Sequence, residues 1–355
     1  MSKERIARLQ EALPENGAFL VTGAAGRFYL TGLHSSAGSV VITKNTACLF
    51  IDFRYVEKAM AVVDSCEVRL SGRKGELGEF LHGARVKELF LEVSGCSVAE
   101  KRAYAAALEG IHVSEEDTLE AALTQMRQIK TEKEISMITA AVQLTDETFS
   151  YILERIEPGR REIDLMLEME FFMRKAGSEG VSFDFIVVSG KNSSLPHGVP
   201  TQKEIEVGDF VTMDFGAVVG GYRSDMTRTV AVGGISAEQR RVYDTVLAAQ
   251  QAALDAISPG KKCMEIDKIA RDLIDGAGYV GAFGHGLGHS VGLEIHESPA
   301  FNTRCQTVLV PGMVMTVEPG IYLEKRFGVR VEDMVVVTEK GCLDLTHSPR
   351  ELIIL

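Results

Sequence analysis

Four acids and four histidines in the C-terminal part of the chain have the types and spacing for chemistry. Asp214 lies in GDFVTMDFG and Asp225 in YRSDMTRT; Glu318 lies in GMVMTVEPG and Glu332 in VRVEDM. The first two runs are β-rich and meet at Val219-Gly220-Gly221, a hairpin signal. A turn centred between 219 and 220 sets Asp214 directly opposite Asp225. Opposed residues share a face with Cβ atoms roughly 5 Å apart, where like charges destabilise a sheet unless a cation lies between them. Glu318 and Glu332 stand in the same relation about Lys325. Any one of these acids alone reads as a solvent-facing strand residue. Together, each among Met, Phe, Val and Thr, they read as a cation site. Four carboxylates offset two divalent ions, and two metals roughly 3.5–4 Å apart can hold a bridging hydroxide while polarising a carbonyl or phosphoryl oxygen. Oxygen ligation with one imidazole suits Mn, Co, Fe or Zn without separating them.

The histidines are His197 in LPHGVP and His285, His289 and His296 in AFGHGLGHSVGLEIHESP. The same run contains GHSVG, a literal G-x-S-x-G around Ser290. Asp333 or Asp344 and then His347 follow it in the chain order of a hydrolase triad. An elbow of that kind needs an apolar strand running in and a helix running out. Here the entry is broken by glycines and the exit carries β-branched residues and Pro299. The serine reading also leaves the four acids unexplained. An H-E-x-x-H zinc helix is excluded, because His296-Glu297 is followed by Pro299 with no second histidine in place. His34, His82, His112 and His347 read as structural residues.

These residues are carried by a repeat. Pro158-Gly159, a helical run and Ala176-Gly177 recur as Pro259-Gly260, a helical run and Ala277-Gly278, with 18 residues from Pro to Ala in each. Each copy leads to an acid-bearing hairpin, with Gly208 six residues before Asp214 and Gly312 six before Glu318. Two equivalent halves related by approximate internal symmetry explain this economically. Upstream, short β-like runs (GAFLVTG, SVVITKNTACLFID, VKELFLEV) alternate with helical patterns and imply a small α/β domain. The stretch 118–156 reads as one long helix ending at Glu157-Pro158-Gly159. The expected domains are 1–124 and 125–355.

Composition narrows the class. The 355 residues are 45% hydrophobic and 25% charged, as in a soluble protein with a sizeable core. A formal net charge of −12 argues against a nucleic-acid partner. No stretch approaches the roughly 18 apolar residues of a membrane span, and the N-terminus has no signal-peptide pattern. Six scattered cysteines without a C-x-x-C pair fit a reducing cytoplasm.

Residues 125–355 resemble the pita-bread metallopeptidases, which include aminopeptidase P, prolidase and, more distantly, methionine aminopeptidase. The motifs are PHG (196–198), MDFGA (213–217), SDMTRT (224–229), HGLGHSVGLEIHE (285–297), VEPGIY (317–322) and VRVED (329–333). FYLTGL and SSAGSVVI resemble the smaller N-terminal domain of the proline-directed members. The resemblance implies a mixed α/β fold, with a creatinase-like catalytic domain of internal pseudo-two-fold symmetry behind a smaller α/β domain. It implies metal ligands at Asp214, Asp225, His289, Glu318 and Glu332, with two divalent ions, manganese foremost. It places His197 and His296 at the substrate, Glu318 as general base, and Arg330, Thr227, His285 and Tyr222 in supporting or substrate-facing positions. It further implies a homodimer acting on short peptides with proline second. In some prolidases an arginine follows the HE-x-P segment, which would hold a dipeptide's carboxylate. This chain has Ala300 there, with Arg304 nearby, which favours Xaa-Pro aminopeptidase over Xaa-Pro dipeptidase activity. A non-catalytic peptide-binding module is the remaining alternative.

Overall fold

A computed structural model describes residues 2–355, which divide into two compact units between Arg127 and Gln128. In the first, helices α1 to α6 (Ser2–Ala12, Ala24–Thr31, Val56–Val62, Glu76–Gly83, Val98–Ala107, Thr118–Gln128) accompany one sheet. Its strands are β1 (Gly17–Val21), β2 (Ser39–Thr43), β3 (Ala47–Ile51), β4 (Glu67–Leu70), β5 (Glu88–Leu91) and β6 (His112–Val113), in the order β4-β3-β2-β1-β5-β6. The chain does not run on from α6 as one helix. It stops at Gln128 and restarts at Glu132, because Thr131 and Glu134 form a capping box whose side chains satisfy each other's free backbone N–H groups.

The second unit begins with α7 (Glu132–Leu153) and α8 (Glu162–Lys175). They cover a sheet in the order β11-β8-β7, built from β7 (Ile186–Ser189), β8 (Phe210–Phe215) and β11 (Met226–Ala231). Between β8 and β11, β9 (Val218–Val219) and β10 (Tyr222–Arg223) close a two-residue turn at Gly220-Gly221. Both glycines have positive φ, 57° and 78°, as a type I′ hairpin demands. The turn therefore centres one residue later than the sequence suggests. Asp214 pairs with Thr227, and Asp225 lies diagonally rather than opposite.

Helices α9 (Ala237–Ala256) and α10 (Cys263–Gly276) then cover a second sheet, ordered β13-β12-β14-β17-β18. Its strands are β12 (Gly288–Ser290), β13 (Glu297–Phe301), β14 (Val314–Val317), β17 (Asp333–Val337) and β18 (Cys342–Asp344). The ribbon of β15 (Gly320–Leu323) and β16 (Phe327–Arg330) joins β14 to β17. This second hairpin is symmetric about Lys325, with Val317 opposite Asp333 and Gly320 opposite Arg330. Glu318 and Glu332 thus hold matching places, as expected.

The repeat is visible in the hydrogen bonds. Gly159 N–H donates to Ile205 O and Gly260 N–H to Leu309 O; Arg161 bridges Glu204 and Lys262 bridges Val308. Strand alternation then aims the acids. Val211, Met213 and Phe215 pack in one helix-covered core, and Met313, Met315 and Val317 in the other. Asp214 and Glu318 occupy the alternate positions, as do Asp225 and Glu332 beside Met226 and Asp333. All four acids face away from the helical layers.

Candidate metal centre and substrate cavity

The inner faces meet at a cavity of about 780 Å³ that Asp214, Asp225, His289, Glu318 and Glu332 all line. One oxygen each of Asp214, Asp225 and Glu332 lies within 4.8 Å of the others. His289 Nε2 stands 3.6 Å from Asp225 Oδ2 and 3.4 Å from Glu318 Oε1. Its Nδ1 lies 3.1 Å from Ser290 O, so an Nδ1–H donating there leaves the Nε2 lone pair facing the carboxylates.

The electrostatics of this cluster disfavour four bare charges and suit a cation. Burial first, and then Glu332, Asp214 and Glu318, push the Asp225 carboxyl well above its ordinary range. Burial followed by Glu318 and Asp214 does the same to Glu332. Burial raises Glu318 to about 8, against the pull of Arg330. Burial, then His296, lowers His289 to about 4, so its imidazole is neutral and able to ligate. Two buried carboxylate oxygens, Asp214 Oδ1 and Glu332 Oε1, have no hydrogen-bond partner. Orphaned anionic oxygens beside a bare imidazole nitrogen fit divalent ions of oxygen and nitrogen preference.

Supporting contacts orient these groups. Arg330 Nη2 donates to Asp214 Oδ2 at 2.7 Å and its Nε to Thr227 Oγ1 at 2.9 Å. Thr227 Oγ1 donates to Glu332 Oε2 at 2.6 Å. Each carboxylate therefore has one oxygen fixed and the other open. Thr316 Oγ1 accepts from His289 N–H at 3.0 Å and donates to Glu318 Oε1 at 3.2 Å, tying the two strands that carry these groups.

Tyr222 does not reach the cavity. Its hydroxyl donates to Glu134 Oε1 at 2.7 Å beneath α7. The tyrosine bonded to cavity-lining residues is Tyr322. Arg330 Nη1 donates to its hydroxyl at 2.7 Å, and the hydroxyl lies 2.9 Å from His285 Nε2. His285 Nδ1 is 2.8 Å from Gly286 O. His285 lines the cavity, yet both ring nitrogens are engaged by neighbours, and burial, then Arg330, lowers it to about 4. Tyr322 ends VEPGIY, so the motif was visible; its hydroxyl contact with His285, 37 residues away in sequence, was not.

His197 and His296 line the cavity, and the His296 ring sits edge-on to His289 with centroids 4.4 Å apart. Ser290 is fully buried, and Lys130 Nζ donates to its Oγ at 2.6 Å. Lys130 also pairs with Glu297 at 3.4 Å. His347 lies beside Asp146 instead. No hydrolase triad forms around GHSVG among the described residues, and Ser290 lies in a short strand. Ala300 lines the cavity, whereas Arg304 is exposed and outside it.

A pita-bread fold carrying a buried acid-rich centre defines a metallohydrolase. The sequence pattern of metallopeptidase family M24 matches residues 136–339, and that of the creatinase/prolidase N-terminal domain matches residues 5–129. The chain belongs to metallopeptidase family M24, whose members bind divalent metals. It is 36% identical over 355 residues to an Xaa-Pro dipeptidase of Pyrococcus furiosus, covering 99% of this chain and 100% of that one. The structure of an Xaa-Pro dipeptidase from Bacillus anthracis superposes with a TM-score of 0.96 at 41% identity, covering 100% of both chains. An X-Pro aminopeptidase from Thermotoga maritima superposes with a TM-score of 0.90 at 37% identity, covering 98% of this chain and 100% of that one.

Proposed function

We propose that this M24 peptidase hydrolyses the bond between an N-terminal residue and a following proline, preferring Xaa-Pro-Yaa peptides to Xaa-Pro dipeptides. The observation that carries the reading is the set of open, buried carboxylate oxygens around His289 at the floor of the cavity. Asp214, Asp225, His289, Glu318 and Glu332 would hold two divalent ions, manganese by preference. When bound, these ions supply Lewis acidity that polarises the scissile carbonyl and makes a water easier to deprotonate. Glu318 is the group that would accept that proton, as ligand and general base together. His197 and His296 stabilise charge at the carbonyl and help protonate the proline nitrogen, which carries no N–H of its own. Arg330 and Thr227 hold Asp214 and Glu332; Tyr322 and His285 extend that support.

The preference for longer peptides rests on the cavity wall. Arg330 is the one Lys or Arg among the described residues lining it, and Asp214, Thr227, Tyr322 and Pro196 O already occupy its guanidinium. A proline carboxylate therefore meets Ala300 rather than a cation. Comparing kcat/KM on Xaa-Pro and Xaa-Pro-Yaa decides the matter; tenfold faster cleavage of the dipeptide overturns the preference. The reading includes a cytoplasmic homodimer in which residues 125–355 do the chemistry and 1–124 serve them. No helix among the described residues is long and apolar enough to cross a membrane.

A further inference from the structure

His197 lines the cavity on an exposed segment, and its ring has no hydrogen bond among the described residues. Its position depends on the loop that carries it. That loop leaves β7 at Ser189, turns through residues 190–194 and returns past Thr201. Both ends of it converge on a single carboxylate, the fully buried Glu162 at the start of α8. Ser189 N–H donates to Glu162 Oε1 at 2.6 Å and Ser189 Oγ at 2.9 Å. Thr201 N–H donates to Oε2 at 3.0 Å and Thr201 Oγ1 at 2.6 Å. Asn192 Nδ2 donates to both oxygens, at 3.1 and 3.2 Å.

Hydrogen bonds to a charged acceptor are roughly twice as strong as neutral ones. The N-terminus of α8 favours the negative charge further. Between the clamped ends, Arg330 Nη1 donates to Pro196 O at 3.2 Å, tying the residue before His197 to the guanidinium that holds Asp214.

The second half of the repeat shows that the helix start itself does not need this carboxylate. Glu162 N–H donates to Lys203 O and Ile163 N–H to Thr201 O; Cys263 N–H donates to Thr307 O and Met264 N–H to Cys305 O. The backbone frame is the same, with Glu162 and Thr201 in one half where Cys263 and Cys305 stand in the other. In the first half the frame carries an acid, and the loop it clamps is the one that carries His197.

We infer that Glu162 is a positioning residue for His197, clamping both ends of the loop so that the imidazole is held against the substrate. The inference rests on the role proposed for His197. A displacement of about 1 Å can cost on the order of 100-fold in rate, and Glu162→Gln, which exchanges an acceptor oxygen for a donor, has the means to cause one.

The test is a double-mutant cycle on an Xaa-Pro-Yaa peptide with the metal-loaded enzyme. Glu162→Gln is expected to lower kcat/KM by about 10- to 100-fold, with the kcat and KM split seen in His197→Ala and an unchanged Kd for manganese. In the His197→Ala background the same change is expected to cost less than about threefold, because coupled residues are non-additive. Equal losses in both backgrounds, or a weaker manganese Kd in step with activity, overturn the inference while leaving the role of His197 intact. Full activity in His197→Ala overturns both. Thr201→Val removes one donor to the clamp and covers the case in which Glu162→Gln does not fold. It is expected to show the same coupling at smaller amplitude, and additivity there overturns the inference equally.

Discussion

Arg330 is the residue on which the charge balance of the centre turns. It is buried, and it holds Asp214 while sharing Thr227 with Glu332. Arg330→Met leaves Asp214 buried without its cationic partner, a loss of about 3–5 kcal/mol for breaking a buried pair. Chemical denaturation of the chelated protein reads it directly, and a loss below about 1 kcal/mol contradicts the pairing. The adjacent residues of GHSVG separate more sharply. His289→Ala is expected to remove both activity and manganese affinity in calorimetric titration. Ser290→Ala is expected to keep most activity while leaving buried Lys130 short of one partner, at about 1–3 kcal/mol of stability. Loss of metal from Ser290→Ala alone refutes that division. The sequence singled out His289 and the four acids, which line one cavity, but not Tyr322. Motif position does not reveal that the Tyr322 hydroxyl meets both Arg330, across its own hairpin, and His285, 37 residues away.

At the scale of elements, strand period and close backbone approach do the positioning. Alternation along β8, β11, β14 and β17 puts apolar side chains under helices and acids on the opposite face. That much was legible, because a period of two is written in the residues themselves. The register of the first hairpin was legible only to within one position. Either glycine of Gly220-Gly221 can sit in a tight turn, and it is the sheet pairing with β8 that decides. Gly288 marks a further constraint. A Cβ there would stand 2.1 Å from Thr316 O and 2.8 Å from Thr316 Oγ1, the hydroxyl that links His289 to Glu318. Gly288→Ala must push β12 off β14. It is expected to weaken manganese binding at least tenfold without unfolding the protein, measurable by titration beside circular dichroism.

For the whole molecule, the concentration of buried acids makes stability depend on metal and pH together. Without metal, burial keeps the Glu318 carboxyl protonated up to about 8, against an ordinary value of 4.5. The folded state therefore holds a proton that the unfolded chain has released. This contribution is fully present below about pH 4.5 and is lost as pH rises through about 8. Asp225 and Glu332 are shifted in the same direction. The Tm of chelated protein is expected to fall between pH 5 and 8, less steeply in Glu318→Gln, and manganese is expected to restore it by mass action. A flat profile in calorimetry refutes the account. Chelation is also expected to abolish Xaa-Pro-Yaa cleavage, and activity that survives with no bound metal overturns the proposed chemistry.

By itself the sequence determined the family, through motifs in fixed order, and the internal repeat, through spacings that recur along the chain. It also determined that four acids face inward, because strand periodicity is local. Only the tertiary structure decided that Tyr322 serves the centre while Tyr222 props α7, that Lys130 occupies Ser290, and that Glu162 clamps the loop of His197. Apart from the bond between Tyr322 and Arg330, which are 8 residues apart, these are contacts between groups tens to more than a hundred residues apart. Such contacts follow from how two sheets and their helices close on one another, which no local pattern records.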